Sequence, residues 1–227
     1  MRIPDAMSER VESEGGHAAK SMTGAQPTVV SHAGGDPSPW LVRWSHLISP
    51  GGTVLDVAAG GGRHARWLAA RGHRVVALER DASALALLGG IEGVEAHSAD
   101  LEDGSPWPLP EDQRFAAVIV TNYLHRPLLP RLLSVLKPGA VLLYETFGRG
   151  NETIGKPSNP AFLLAPGELL EAVRGRLRVI AFEDGFVAAP RPAFVQRICA
   201  VHEAVEPAAD ASGVRWPNMP PRYELSS

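Results

Sequence analysis

The stretch from Thr53 to Asp81, TVLDVAAGGGRHARWLAARGHRVVALERD, constrains the fold more than any other part of the chain. Thr53 to Ala59 is a short, mostly apolar run, dense enough for a strand buried on both faces. Gly60, Gly61 and Gly62 follow at once. Behind them Ala65, Leu68 and Ala69 recur at helical spacing with Trp67 among them, until Gly72 stops the helix. Arg74 to Leu78 is a second strand-forming run, closed by Glu79. Strand, glycine turn, helix, strand and acidic residue make a βαβ unit of the kind that holds a nucleotide. Glu79 falls at the expected distance, about twenty residues past the first glycine.

Each residue type has a physical task. Glycines in the turn remove Cβ atoms, so the backbone can take positive φ and approach a ligand. The helix starting near Arg63 presents unpaired N–H groups to a carboxylate or phosphate. Glu79, at a strand's carboxyl end, is suited to accept hydrogen bonds from a ribose diol.

Two cofactors fit such a turn. Gly60-x-Gly62-x-x-Ala65 matches the G-x-G-x-x-G/A pattern of NAD proteins. Asp56-Val57-Ala58-Ala59-Gly60-Gly61-Gly62 resembles motif I, D/E-x-G-x-G-x-G, of class I S-adenosylmethionine-dependent methyltransferases, with Ala58 where that family has its first glycine. S-adenosylmethionine carries a positive amino group, which suits a carboxylate at Asp56. A pyrophosphate beside the same charge would be repelled.

Further along, Ala82 to Leu88 reads as a helix ended by Gly89-Gly90, and Val94 to Asp100 as a third strand. Phe115 to Thr121 is a strongly apolar fourth strand running into Asn122-Tyr123-Leu124-His125-Arg126. Ligands of open parallel sheets lie at strand carboxyl ends, so Asn122 to Arg126 is expected beside the reacting group. Leu128 to Leu136 reads as a helix broken by Lys137-Pro138-Gly139, with a fifth strand over Ala140 to Phe147. The succession LKPGAVLLYE resembles the same methyltransferase family, and NAD fingerprints lack it. Leu177 to Phe182 and Ala193 to His202 read as a closing antiparallel pair, after a helix from Pro166 through Val173.

The resemblance spans residues 40 to 202. It implies an α/β fold: a doubly wound, seven-stranded, mostly parallel sheet with a C-terminal antiparallel strand. It further implies a cofactor set of Asp56, Ala58, Gly60, Gly62, Glu79, Arg80, Asp100, Leu101 and Asn122, with Asp100 on the adenine amino group. Tyr123 and His125 are the candidates for catalysis, His125 because its ordinary pKa suits a general base. The loop GRGNETIGKPSNPAFLL is too long for a bare connection. Its Arg149, Asn151, Lys156 and Asn159, together with Arg126, are the expected acceptor-side groups, and the positive charge of Arg126, Arg149 and Lys156 points to an anionic substrate. Within the family, GGGRHARWLAARGHRVVALERD looks most like the bacterial small-molecule group typified by the tellurite-resistance methyltransferases.

Composition narrows the class. Net charge is −3, so no overall basic field favours nucleic acid. A single cysteine, Cys199, excludes an internal disulfide and a cysteine metal cluster, and no metal is expected. No apolar run reaches the length of a membrane span, and a cytoplasmic location is expected. Residues 1–36 are polar, Gly/Ser-rich and aperiodic, and read as a disordered tail. The methyltransferase domain is expected over 37–203, with 204–227 unfolded. A Ser38-Pro39 start signal precedes Trp40, Leu41, Trp44 and Leu47 on one helical face, read as a helix at the sheet edge, with a lid over the cofactor as the alternative. A small-molecule methyltransferase, an RNA or protein methyltransferase, and a NAD(P)-binding oxidoreductase remain open from sequence. Oligomeric state and the methyl acceptor are not legible.

Overall fold

Seven strands form one sheet in the order β3-β2-β1-β4-β5-β7-β6. They are β1 (Thr53–Val57), β2 (Arg74–Glu79), β3 (Val94–Ser98), β4 (Phe115–Thr121), β5 (Leu136–Phe147), β6 (Arg178–Val187) and β7 (Ala193–Val201). The first five run parallel, and β7 is inserted antiparallel between β5 and β6. The computed structural model describes residues 35–189, 191–204 and 221–225. The expected N-terminal tail therefore lies outside the described residues except for Gly35 and Asp36.

Both faces of the sheet are covered, which is why β1 and β4 are apolar almost without alternation. Leu55, Val57, Val118, Val120 and Tyr144 point to one side, under α4 (Leu129–Ser134) and α5 (Glu168–Val173). Val54, Ala77, Ile119, Leu143 and Cys199 point to the other. That side is covered by α1 (Pro39–Trp44), α2 (Arg63–Ala69) and the segment after α3 (Ala82–Ala86) that carries Leu88. Burial pushes the Cys199 thiol up to about 12, so it is an inert core side chain.

Several boundaries differ from expectation for local reasons. The third strand ends at Ser98, and Asp100 sits in the following loop. The helix before β5 stops at Ser134, and β5 starts at Leu136. Its pairing with β4 jumps from Phe115↔Leu136 to Ala117↔Val141. Lys137-Pro138-Gly139 therefore forms a bulge inside the strand, where proline's missing N–H is tolerated. Helix α1 lies on a sheet face and not at an edge. Trp40 Nε1–H donates to the Ile198 carbonyl at 3.1 Å, and Trp40 meets Trp44 edge-on at 5.7 Å. Within the expected C-terminal tail, Tyr223 packs against the α1 side of the core, with Arg178 5.8 Å from its ring.

The long loop after β5 is a built strap. Its ends meet where Leu164 N–H donates to Phe147 O and Arg149 N–H to Leu164 O, each at 2.9 Å. Asn151 is 1% exposed; its Nδ2–H donates to Pro157 O at 3.0 Å, and its Oδ1 accepts from Phe194 N–H at 3.3 Å. One side chain thus pins the strap to itself and to β7. Replacing it with alanine leaves an N–H and a carbonyl unpaired, which costs about 2 kcal/mol. Asn151→Ala is expected to lower the urea midpoint accordingly and open the strap to limited proteolysis; an unchanged midpoint would show that the pin is dispensable.

Candidate functional site

The site forms at the carboxyl edge of β1, β2 and β4, where strand order reverses about β1. The turn after β1 is left-handed at Ala58 (φ 53), Gly60 (φ 55) and Gly62 (φ 76). A Cβ on Gly62 would stand 1.9 Å from Leu88 Cδ2, so that glycine lets α2 pack. Ala58 takes the same backbone hand with a methyl group attached, a strain of about 1 kcal/mol.

Two cavities share the Ala58 wall. The first is lined by Leu78, Glu79, Arg80, Ala99, Asp100, Leu101, Glu102 and Tyr123. Glu79 Oε2 accepts Gly60 N–H at 2.7 Å, while Oε1 accepts Arg80 N–H at 2.9 Å and Asp81 N–H at 2.8 Å. This carboxylate therefore fixes the glycine turn as well as facing the cavity. Asp100 Oδ1 caps its own turn through Glu102 N–H at 3.0 Å, and Oδ2 lies 3.6 Å from Arg80 Nη1. Acidic groups at two strand ends around an apolar slot suit a nucleoside.

The second cavity is lined by Asp56, Ala59, Gly60, Gly61, Arg63, His64, Thr121 and Asn122. Asp56 is 1% exposed and its Oδ2 has no hydrogen-bond partner. Burial pushes its pKa from 3.8 up to about 7, against the opposing pull of Arg63. An unpaired buried carboxylate calls for a cationic group in this space. His64 is also buried, and burial with Arg63 alongside lowers its pKa to about 3. Asn122 sits at φ 58, a conformation asparagine tolerates better than other side chains. Helix α2 has only seven residues, so the side chains weigh more here than its expected N-terminal dipole.

Asp36 and Ser38 lie behind the wall of this cavity, against Arg63 and His64. Ser38 caps α1 by accepting Trp40 N–H at 3.1 Å. Its hydroxyl donates to Glu145 Oε1 at 2.7 Å, and its N–H donates to His64 Nε2 at 3.2 Å. Arg197 Nε lies 2.5 Å from Glu145 Oε2 without an aligned N–H, so that contact is ionic.

Of the residues expected on the cofactor side, all but Gly62, which meets Leu88, line these two cavities, and four others do not behave as expected. Tyr123, a candidate for the chemistry, instead lines the first cavity, its backbone carbonyl held by Tyr144 O–H at 2.9 Å. Arg126 is committed to Glu168 (2.6 and 2.9 Å) and to the carbonyls of Ala161 and Leu163, so its guanidinium clamps the strap. Asn151 is buried in the strap's pin, and Asn159 spends its Oδ1 capping Ala161 N–H at 3.0 Å. His125 is half-buried with no ring hydrogen bond among the described residues. Arg149 and Lys156 are exposed on the strap, without ion pairs among the described residues. Sequence reasoning missed Ser38, Arg63, His64 and Glu145 as site residues. The Arg63-His64 pair directly after the glycines was the signal available.

Asp56 and His64 have opposite effects on stability. From pH 3.8 to about 7 the folded state keeps a proton on Asp56 that the unfolded chain has released, so this group makes stability fall as pH rises. From about pH 3 to 6.5 the unfolded chain carries a proton on His64 that the folded state refuses, so this group makes stability rise with pH. Where the windows overlap the two slopes cancel. Asp56→Asn should leave a rising profile and His64→Gln a falling one, each up to ~1.4 kcal/mol per pH unit. Urea midpoints of the ligand-free proteins between pH 4 and 6.5 check this, and parallel profiles would refute it.

Residues 54–139 match the family model described as a methyltransferase domain. Among solved structures, TehB from Haemophilus influenzae superposes with a TM-score of 0.58 at 15% identity, covering 70% of this chain; the chain spans 60% of the length of that protein. A TehB-like S-adenosylmethionine-dependent methyltransferase from Corynebacterium glutamicum gives 0.54 at 17% identity, covering 75% of this chain and 91% of its own. A Methanosarcina mazei S-adenosylmethionine-dependent methyltransferase gives 0.56 at 17% identity, covering 74% and 99%. No curated protein matches by sequence. At these identities the likeness is one of fold. The sheet order and these superpositions give the chain the fold of S-adenosylmethionine-dependent methyltransferases, and the match to the methyltransferase-domain model lies over β1 to the start of β5.

Proposed function

We propose that the protein transfers a methyl group from S-adenosylmethionine to a small anionic acceptor. The observation that carries the cofactor side is the buried Asp56 carboxylate, whose Oδ2 has no partner, next to the cavity between Glu79 and Asp100. Asp56 holds the ammonium of the cofactor's amino-acid end. Glu79 accepts from the ribose hydroxyls, Asp100 from the adenine amino group, and Leu101 lies against the base. Arg80 and Tyr123 close that pocket, and Asn122 lines the other. When bound, the cofactor supplies a methyl group on a positively charged sulfur, already activated for displacement. The remaining work is alignment and water exclusion, which the wall backed by Ser38 and the rigid strap provide. His125 takes the proton of an acceptor nucleophile that carries one. Arg149 and Lys156 supply positive charge to the acceptor.

Calorimetry is expected to detect S-adenosylmethionine and S-adenosylhomocysteine, with NAD at least about tenfold weaker because Asp56 repels a pyrophosphate. NAD binding as tight as S-adenosylmethionine would overturn the assignment. Glu79→Ala should cost about 1–3 kcal/mol of affinity. It should also lower the ligand-free urea midpoint, since Gly60 N–H loses its acceptor.

On the acceptor side, Arg149→Ala combined with Lys156→Ala should leave cofactor affinity unchanged and reduce methyl transfer tenfold or more. That loss corresponds to about 1.4 kcal/mol at the transition state. Incubation with labelled cofactor and fractionated anionic metabolites supplies the acceptor. Unchanged turnover in the double variant would return both cations to a solvent role.

A further inference from the structure

His64 is a buried polar side chain to which the proposed reaction gives no task. It sits in the first turn of α2, 3% exposed, in the wall of the cavity that also contains Asp56. Its Nε2 faces the Ser38 backbone N–H at 3.2 Å. A backbone amide can only donate, so Nε2 is the acceptor and the ring proton is on Nδ1. The ring stays neutral, because burial beside Arg63 opposes a second proton. That fixes one tautomer, and its Nδ1–H has no acceptor among the described residues.

Buried donors and acceptors are nearly always paired, so two unpaired ones in one cavity call for a common explanation. Asp56 Oδ2 is a buried acceptor without a donor, and His64 Nδ1–H, in the wall of the same cavity, has no acceptor among the described residues. The two do not pair with each other. Arg63 stands in the same wall, one of its N–H groups donating to Asp36 O at 3.2 Å and the rest without a hydrogen-bond partner among the described residues. One negative acceptor facing one neutral donor and one guanidinium is the complement of a zwitterionic α-amino acid.

We propose that His64 donates its Nδ1–H to the carboxylate of the cofactor's amino-acid end, and that the Ser38 amide holds the ring in the tautomer able to do so. This rests on the S-adenosylmethionine reading and adds a residue to it. Ser38 thereby has two roles, capping α1 and setting the proton on a ligand-binding ring. A purely architectural His64 needs only the Ser38 contact and has no use for Nδ1.

Two nucleosides separate the possibilities: S-adenosylhomocysteine carries the amino-acid end, and 5′-methylthioadenosine lacks it. In ¹⁵N-histidine spectra of the full chain, His64 should be neutral and protonated on Nδ1 from pH 5 to 8. Its Nδ1 resonance should move with S-adenosylhomocysteine and stay put with 5′-methylthioadenosine. In titrations, His64→Gln should keep an acceptor for Ser38 but lose the donor. It should bind S-adenosylhomocysteine at least tenfold more weakly and 5′-methylthioadenosine equally well. His64→Asn, whose amide can stand near the Nδ1 position, should recover part of the loss. If the wild type binds neither nucleoside, the cofactor reading fails and this assignment with it. If it binds both while His64→Gln alters neither, or weakens both equally, the assignment is overturned and the cofactor reading stands. Should the variants fail to fold, the wild-type spectra decide: a ring protonated on Nε2, or an Nδ1 signal indifferent to S-adenosylhomocysteine, overturns it.

Discussion

A boundary one residue deep crosses the sheet on the face covered by α1 and α2. Below it the paired residues Ala77, Asp56, Ile119, Leu143 and Cys199 share one row; two residues further on, the row reads Glu79, Thr121, Glu145, Arg197 and Glu183. Everything polar at the site hangs from this boundary. Asp56 is the one member of the lower row that carries a charge, set among apolar neighbours with no protein donor for Oδ2. A carboxylate placed one row too deep is costly to ionise, and its pKa rises for that reason. The cost makes sense where a cation arrives with the ligand.

The upper row is satisfied in a different way. Glu145 and Arg197 face each other across β5 and β7, Glu183 extends the chain of charges to the edge strand, and Ser38 covers Glu145 from above. Leaving a buried ion pair half-satisfied is worse than having none, so the cover is part of the pair's stability. Helix α1, six residues long, has little stability of its own. It is held by two buried tryptophans and by the cap residue that reaches both Glu145 and His64. Helix α1 and the ligand cavity are therefore linked through a single side chain and its amide.

How much of this is legible in the sequence depends on whether a residue's role is periodic or relational. The β1–α2–β2 unit can be read because burial on both faces leaves an uninterrupted apolar run and the turn needs glycine. Asp56, Glu79 and Asp100 can be placed because strand ends emerge from the same pattern. His64 cannot, since a histidine one position before the apolar Ala65 looks like the solvent side of an amphipathic helix; only the arrival of Ser38 from 26 residues away buries it. Arg126, Asn151 and Asn159 look in sequence like free polar groups in and beside an overlong loop. A loop that closes on itself must satisfy its own carbonyls and N–H groups, and these three side chains do that. Tyr123 falls one cavity away from its expected place, because Asn122 before it is left-handed and redirects the chain at that point.

The strap's construction bears on specificity. Its backbone is fixed by Asn151, by the Arg126–Glu168 clamp, and by Gln196, whose amide reaches the Ala165 carbonyl at 2.5 Å and accepts Leu169 N–H at 3.2 Å. None of these groups belongs to the two cofactor cavities. Side chains such as Arg149 and Lys156 are therefore carried on a frame that can keep its shape when they change. Rigid support with exchangeable tips is how a binding loop alters what it recognises without disturbing the chemistry beneath it. On the proposed function, the buried carboxylate and the glycine turn hold the cofactor, while the strap leaves the acceptor to a few exposed charges.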